Sequence, residues 1–181
     1  MKRIIVAAAL LAVGFSIIAF GTGAFFTATG TAHNVITSGS VQIELKETDG
    51  NGDPYPAEPI TDVMPGTVAD KVVSVKNTGD NDAWVRVAVD TAVTGETQLD
   101  SRYVLLNVDT GHWTERDGYY YYNGILAPGR ETEPLFTQVT FSRDMGNQYQ
   151  NASIDVGLIG YAVQSANNGA TVFEAAGWPQ A

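Results

Sequence analysis

Alternation with a period of two runs through this chain, and it leaves room for little besides strands. Val85, Val87 and Val89 alternate with Trp84, Arg86 and Ala88. Val41, Ile43 and Leu45 alternate with Gln42, Glu44 and Lys46, and Ile154, Val156 and Leu158 with Asp155, Gly157 and Ile159. Side chains on a strand point to opposite faces in turn, so each run has one face for a core and another for a second environment. Further strands are expected over 68–76, 103–108 and 135–141. The 103–108 stretch is apolar on both faces and reads as central. The expected core comes from Val85, Val87 and Val89, from Val104, Leu105 and Leu106, and from Ile154, Val156 and Leu158.

Turn chemistry separates these runs. Met64-Pro65-Gly66 and Ala127-Pro128-Gly129 carry the Pro-Gly signature of a type II turn. Trp113 and Tyr119 to Tyr122 flank Glu115-Arg116-Asp117-Gly118, which reads as a hairpin about an Asp-Gly turn. One segment has a helical signal: Thr171 and Glu174 have capping-box spacing, and Gly177 and Pro179 would stop a helix within a turn or two. Short strands, frequent glycine and one short helix near the C-terminus define an all-β, jelly-roll-like antiparallel β-sandwich.

The N-terminus reads differently. Lys2 and Arg3 precede an uncharged, mostly apolar run from Ile4 to Phe20, followed by Gly21-Thr22-Gly23-Ala24. This is the pattern of a secretory signal peptide, with cleavage after Ala24 before Phe25 and a second candidate at Ala32. A retained anchor is the rival, since the uncharged span reaches Ala32 and is long enough to cross a bilayer. The expected division is 1–24 signal peptide, 25–40 N-terminal segment and 41–181 a single β-sandwich domain. Beyond Ala24 the chain carries 8 basic and 20 acidic groups, a charge of −12. Such a surface argues against nucleic acid and against an anionic membrane, so membrane contact is expected only during export. There are no cysteines, hence no disulfide framework and no thiolate metal site.

Little in the sequence points to catalysis. The two histidines, His33 and His112, are far apart and lack a metal-binding spacing, and no Gly-x-Ser-x-Gly elbow or phosphate-cradling loop occurs. Asp49-Gly50-Asn51-Gly52-Asp53 opens like an EF-hand loop, but its twelfth position is Ile60, so it reads as a solvated turn. No enzyme activity, metal or cofactor is expected. Arg86, between valines, is either an ion-pair partner or an outward solvated residue. The tyrosine hairpin with Trp113 is either a hairpin with one aromatic face in the core and one exposed, or a glycan-stacking platform. Phe25, Phe26, Thr27, Ala28, Thr29, Gly30 and Thr31 form an uncharged, strand-tolerant tail that can fray or pair with the edge of another subunit.

The order and spacing of several segments resemble the TasA/camelysin family. They are Gly23-Ala24-Phe25-Phe26-Thr27, Thr37-Ser38-Gly39-Ser40-Val41-Gln42-Ile43, Met64-Pro65-Gly66, Val85-Arg86-Val87, Asp117-Gly118 with Tyr119 to Tyr122, and Tyr161-Ala162-Val163-Gln164. The resemblance implies a secreted protein of the extracellular matrix or cell surface, processed by a signal peptidase of the SipW type. It implies a subunit of biofilm-matrix fibres, a homopolymer whose partner is itself, with Phe25 to about Val35 acting as a donor strand that completes the next subunit's sheet. Two alternatives stand beside it: a monomeric surface or matrix-binding module for a glycan or protein ligand, and a secreted camelysin-type peptidase, for which no zinc motif is present.

Overall fold

Two packed β-sheets form the body of the molecule. The computed structural model describes residues 34–37, 41–56, 59–61, 64–95, 98–149 and 151–179. Among the described residues ten strands follow in chain order: β1 (Asn34–Thr37), β2 (Ile43–Thr48), β3 (Val68–Asn77), β4 (Ala83–Thr94), β5 (Gln98–Leu99), β6 (Val104–Leu106), β7 (Trp113–Arg116), β8 (Tyr119–Tyr122), β9 (Phe136–Phe141) and β10 (Ser153–Gln164). One sheet has the order β1-β10-β4-β8-β7, with β5 also on β4; the other has the order β2-β3-β9-β6. Neighbours distant in sequence, such as β10 beside β4 and β9 beside β3, are the crossing connections that a jelly-roll-like sandwich needs.

The alternating runs become the sandwich as their periodicity requires. Val85 and Val87 turn inward from β4, Ile154, Val156 and Leu158 from β10, and Ile43 and Leu45 from β2, and all seven are buried in one core cluster. The two sheets meet closely at Gly160, where an added Cβ would lie 3.2 Å from both Ile43 Cδ1 and Leu45 Cγ. A side chain there would wedge β10 away from β2.

The turns form as expected. Gly66 and Gly129 adopt φ of +86° and +71°, and Thr67 N–H and Arg130 N–H close their turns onto the Met64 and Ala127 carbonyls. Asp117 and Gly118 both have positive φ, 51° and 80°, so the β7–β8 hairpin closes through a type I′ turn.

Two expectations are corrected. Strand β6 is at the edge of its sheet, not its centre, and Leu105 points outward with 49% of its surface exposed. Tyr103, Val104, Leu106 and Val108 of that run pack on the core, and Leu105 does not. The segment around Thr171 is a single turn rather than a helix. Glu174 N–H bonds the Thr171 carbonyl at 3.1 Å, and the Glu174 carboxylate accepts from Ala170 N–H at 2.9 Å. Further helical growth would lift Val172 and Trp178 off the sheet face they cover.

One strand pairing is unlike the others. Strand β1 runs parallel to β10, from Asn34 opposite Ile159 to Thr37 opposite Ala162, whereas every other pair of strands among the described residues is antiparallel. It occupies the margin of its sheet, beside β2 of the other sheet.

Candidate functional site

The cleavage residues Ala24 and Phe25 and the donor segment, Phe25, Phe26, Thr27, Ala28, Thr29, Gly30 and Thr31, lie outside the described residues, as does His33. The end of the 25–40 segment is described: residues 34–37 are β1, paired with the chain's own β10. The described end of this segment therefore lies at the sheet margin beside β2.

Two backbone edges are open there among the described residues. The first is β2. Its Glu47 carbonyl accepts from Tyr55 N–H at 3.0 Å, and Thr48 bridges to Pro54, so its far end is covered by the returning loop. Outward-facing backbone groups alternate along an antiparallel strand, which puts Ile43 and Leu45 on the same open side as Glu47. A groove of about 510 Å³ follows this stretch, lined by Ile43, Leu45, Glu47, Pro54 and Tyr55 among others. The second open edge belongs to β10 between two fillers. Ile60 exchanges hydrogen bonds with Ile154 at 2.9 and 3.0 Å, and β1 begins opposite Ile159. Residues 155–158 lie between them.

The aromatic hairpin divides across its sheet. Trp113, Tyr120 and Tyr122 face the sandwich interior, and Trp113 donates its indole N–H to the Glu133 carbonyl at 3.0 Å. Tyr122 donates to the Glu133 carboxylate at 2.5 Å. Burial, helped by that carboxylate, pushes its phenol pKa up to about 12. Tyr119 and Tyr121 face the other way, onto a smaller cluster with Trp84, Val163, Val172 and Trp178. Residues 165–179 cross this outer face as a strap. Trp84 donates to the Asn168 carbonyl at 2.9 Å, and the Asn168 side chain exchanges bonds with Ala176 at 2.8 and 3.0 Å.

Arg86 lies under that strap and is neither of the things its sequence context suggested. It is only 8% exposed, and no carboxylate among the described residues pairs with it. Its guanidinium carbon sits 3.9 Å from the Tyr119 ring centre, 4.6 Å from Trp178, 5.1 Å from Tyr161 and 5.9 Å from Tyr121. Aromatic faces stabilise a cation through their quadrupoles, so four rings stand where a counter-ion would. Nη1 donates to the Tyr121 hydroxyl and Nη2 to the Pro179 carbonyl, while Nε has no partner. Sequence reading missed this cage because Trp178 and Pro179 arrive from the far end of the chain.

The remaining candidates are local. Asp49 accepts from Asn51 N–H at 2.8 Å and Asp53 N–H at 3.0 Å, so its carboxylate closes its own turn. His112 Nδ1 lies 2.7 Å from Asp109 Oδ2, and this hydrogen bond raises the imidazole pKa. No group of three or more potential metal ligands gathers among the described residues. A buried ion pair, Lys71 with Glu47, spans β3 and β2 beneath the Tyr55 ring.

No family model, curated protein or solved structure matches the chain.

Proposed function

We propose that this chain is an exported structural subunit of extracellular biofilm-matrix fibres, which polymerises when the N-terminal segment of one copy adds a strand to the next. One observation supports the reading: residues 34–37 form the outermost strand of a sheet, at the margin where, among the described residues, β2 and residues 155–158 of β10 leave backbone edges open. An open edge presents unpaired N–H and C=O groups, and an incoming strand satisfies them while its side chains fill adjoining pockets. Phe25 and Phe26 supply the apolar side chains, and the groove along Ile43 and Leu45 is the receiving surface. Export, with removal of residues 1–24 by a signal peptidase, frees the tail. The charge of −12 on the remainder opposes indiscriminate clumping and leaves directed backbone pairing as the route to assembly.

The parallel β1 matters to the experiment. A truncation at residue 36 would cut β1 and confound loss of the donor with damage to the body. Residues 25–181 and 34–181 should therefore be compared by electron microscopy and sedimentation. Fibres from the first and monomers from the second are expected. Equal fibre formation by both would overturn the donor role.

The glycan-platform alternative finds less support. The outward faces of Tyr119 and Tyr121 are covered by Trp178 and Phe173, with ring centres of Tyr121 and Phe173 5.4 Å apart.

A further inference from the structure

We propose that Lys71 and Glu47 are joined by an amide between their side chains, a covalent staple linking β3 to β2. The exposed pairs Lys46–Glu131 and Arg102–Asp100 have side chains 38–69% open to solvent, whereas those of Lys71 and Glu47 are 3% and 4% exposed. Lys71 Nζ donates directly to Glu47 Oε2.

The fold holds the two groups together from several sides. Asp70 pairs with Gln138 and Val73 with Phe136, so Lys71 and Val72 share one opposing residue in a β-bulge. A bulge re-aims the side chains it carries, and here Lys71 turns inward. Glu47 pairs with Val73 on the other side of β3, within reach of that ammonium. The Tyr55 ring lies 4.0 Å from Nζ. Lys71, Tyr55, Pro56, Pro59, Ile60 and Ile154 line a cavity of about 10 Å³.

Burial away from water makes two opposite charges costly to maintain. A proton passed from Nζ to the carboxylate along their hydrogen bond removes both charges. The amine then carries a lone pair, and the acid carries a hydroxyl that can leave. Nζ bonds to Glu47 Cδ, and the hydroxyl departs with one of the two remaining amine protons. Ammonium plus carboxylate thus becomes amide plus water. Net charge is unchanged, and no oxidant or co-reactant enters. Groups fixed in contact react as if at an effective molarity of about 10⁵–10⁸ M. A cavity of about 10 Å³ is at the lower limit for lodging one water, the product released. The cross-link closes a loop between residues 24 apart in a chain with no cysteine. It is independent of the strand-donation reading.

Intact mass spectrometry tests it on the purified protein, both freshly prepared and after prolonged storage. The expected mass is lower than the sequence requires by one water, judged against a Lys71→Arg variant after correction for the residue change. Arginine keeps the cation but forms no such amide. Trypsin should fail to cut after Lys71, yielding residues 47–76 as one peptide with no backbone fragments between Glu47 and Lys71. The Lys71→Arg protein should show the full mass and melt several degrees lower. A full-mass wild-type protein after storage, cut normally after Lys71, would overturn the proposal.

Discussion

Arg86 and Tyr121 face each other across β4 and β8, and the phenol oxygen accepts from Nη1 at 3.2 Å where a carboxylate would ordinarily stand. The guanidinium is held by rings and by one carbonyl of the strap, so its cost of burial is offset by polarisation and packing rather than by an opposite charge. Arg86→Ala removes the ring contacts and leaves a hole beneath Trp178. We predict a loss of about 2–4 kcal/mol in urea unfolding. Arg86→Met fills the same space and also deletes the partnerless Nε, so it should cost less than half as much. If methionine is as damaging as alanine, the charge rather than the packing dominates.

Asn77 is fully buried at the end of β3 and joins two turns. Its amide nitrogen donates to the Asn81 and Leu126 carbonyls, each at 2.8 Å, and its side-chain oxygen accepts from Gly79 N–H at 3.0 Å. Asn77→Ala abandons all three. The expected loss is about 2–3 kcal/mol in equilibrium unfolding, because deserted buried polar groups lose water without regaining partners. Faster hydrogen exchange should appear at Gly79.

The two sheets approach closely at Gly160. Gly160→Val drives side-chain atoms against Ile43 and Leu45, and a cost of about 1–3 kcal/mol is expected from overpacking. Gly160→Ala should cost less, since the atoms it meets are the movable ends of aliphatic side chains. Thermal unfolding followed by circular dichroism measures both, and an unchanged melting temperature for the valine variant would refute the close approach.

His112 titrates against Asp109. The hydrogen bond that His112 donates to the Asp109 carboxylate raises the folded-state imidazole pKa above its ordinary value of 6.5. A raised pKa means that the folded chain holds the proton more tightly than the unfolded one. The associated stability is therefore fully present below the unfolded pKa and is lost as pH rises through the folded value. Nuclear magnetic resonance titration should place His112 above 6.5, and Asp109→Asn should bring it down. An imidazole unaffected by that substitution would show that the pair does not form in solution.

Much of this architecture could be read in advance, for reasons that differ by element. Strand β10 was legible because Ile154, Val156 and Leu158 recur on its inward face before Gly160 takes the next inward position. The β7–β8 hairpin was legible because Asp117 and Gly118 tolerate positive φ. Strand β6 was misplaced because Leu105 is apolar yet faces solvent, and position within a sheet is not written into a short strand. The parallel setting of β1 depends on which edge remains after nine other strands have paired, which no local pattern encodes. The surroundings of Arg86 escaped for a related reason. Alternation shows that its side chain leaves the main core, but the ceiling above it comes from Pro179, 93 positions along the chain.

The twelve-for-twelve register of β10 against β4 has a mechanical consequence. Pulled along the strand axis, that pair resists in shear, with its whole ladder of hydrogen bonds strained at once. The four-residue attachment of β1 is far shorter. Tension entering through the N-terminus therefore peels a small peripheral element before it reaches the long central seam, so the molecule can yield locally and keep its body intact.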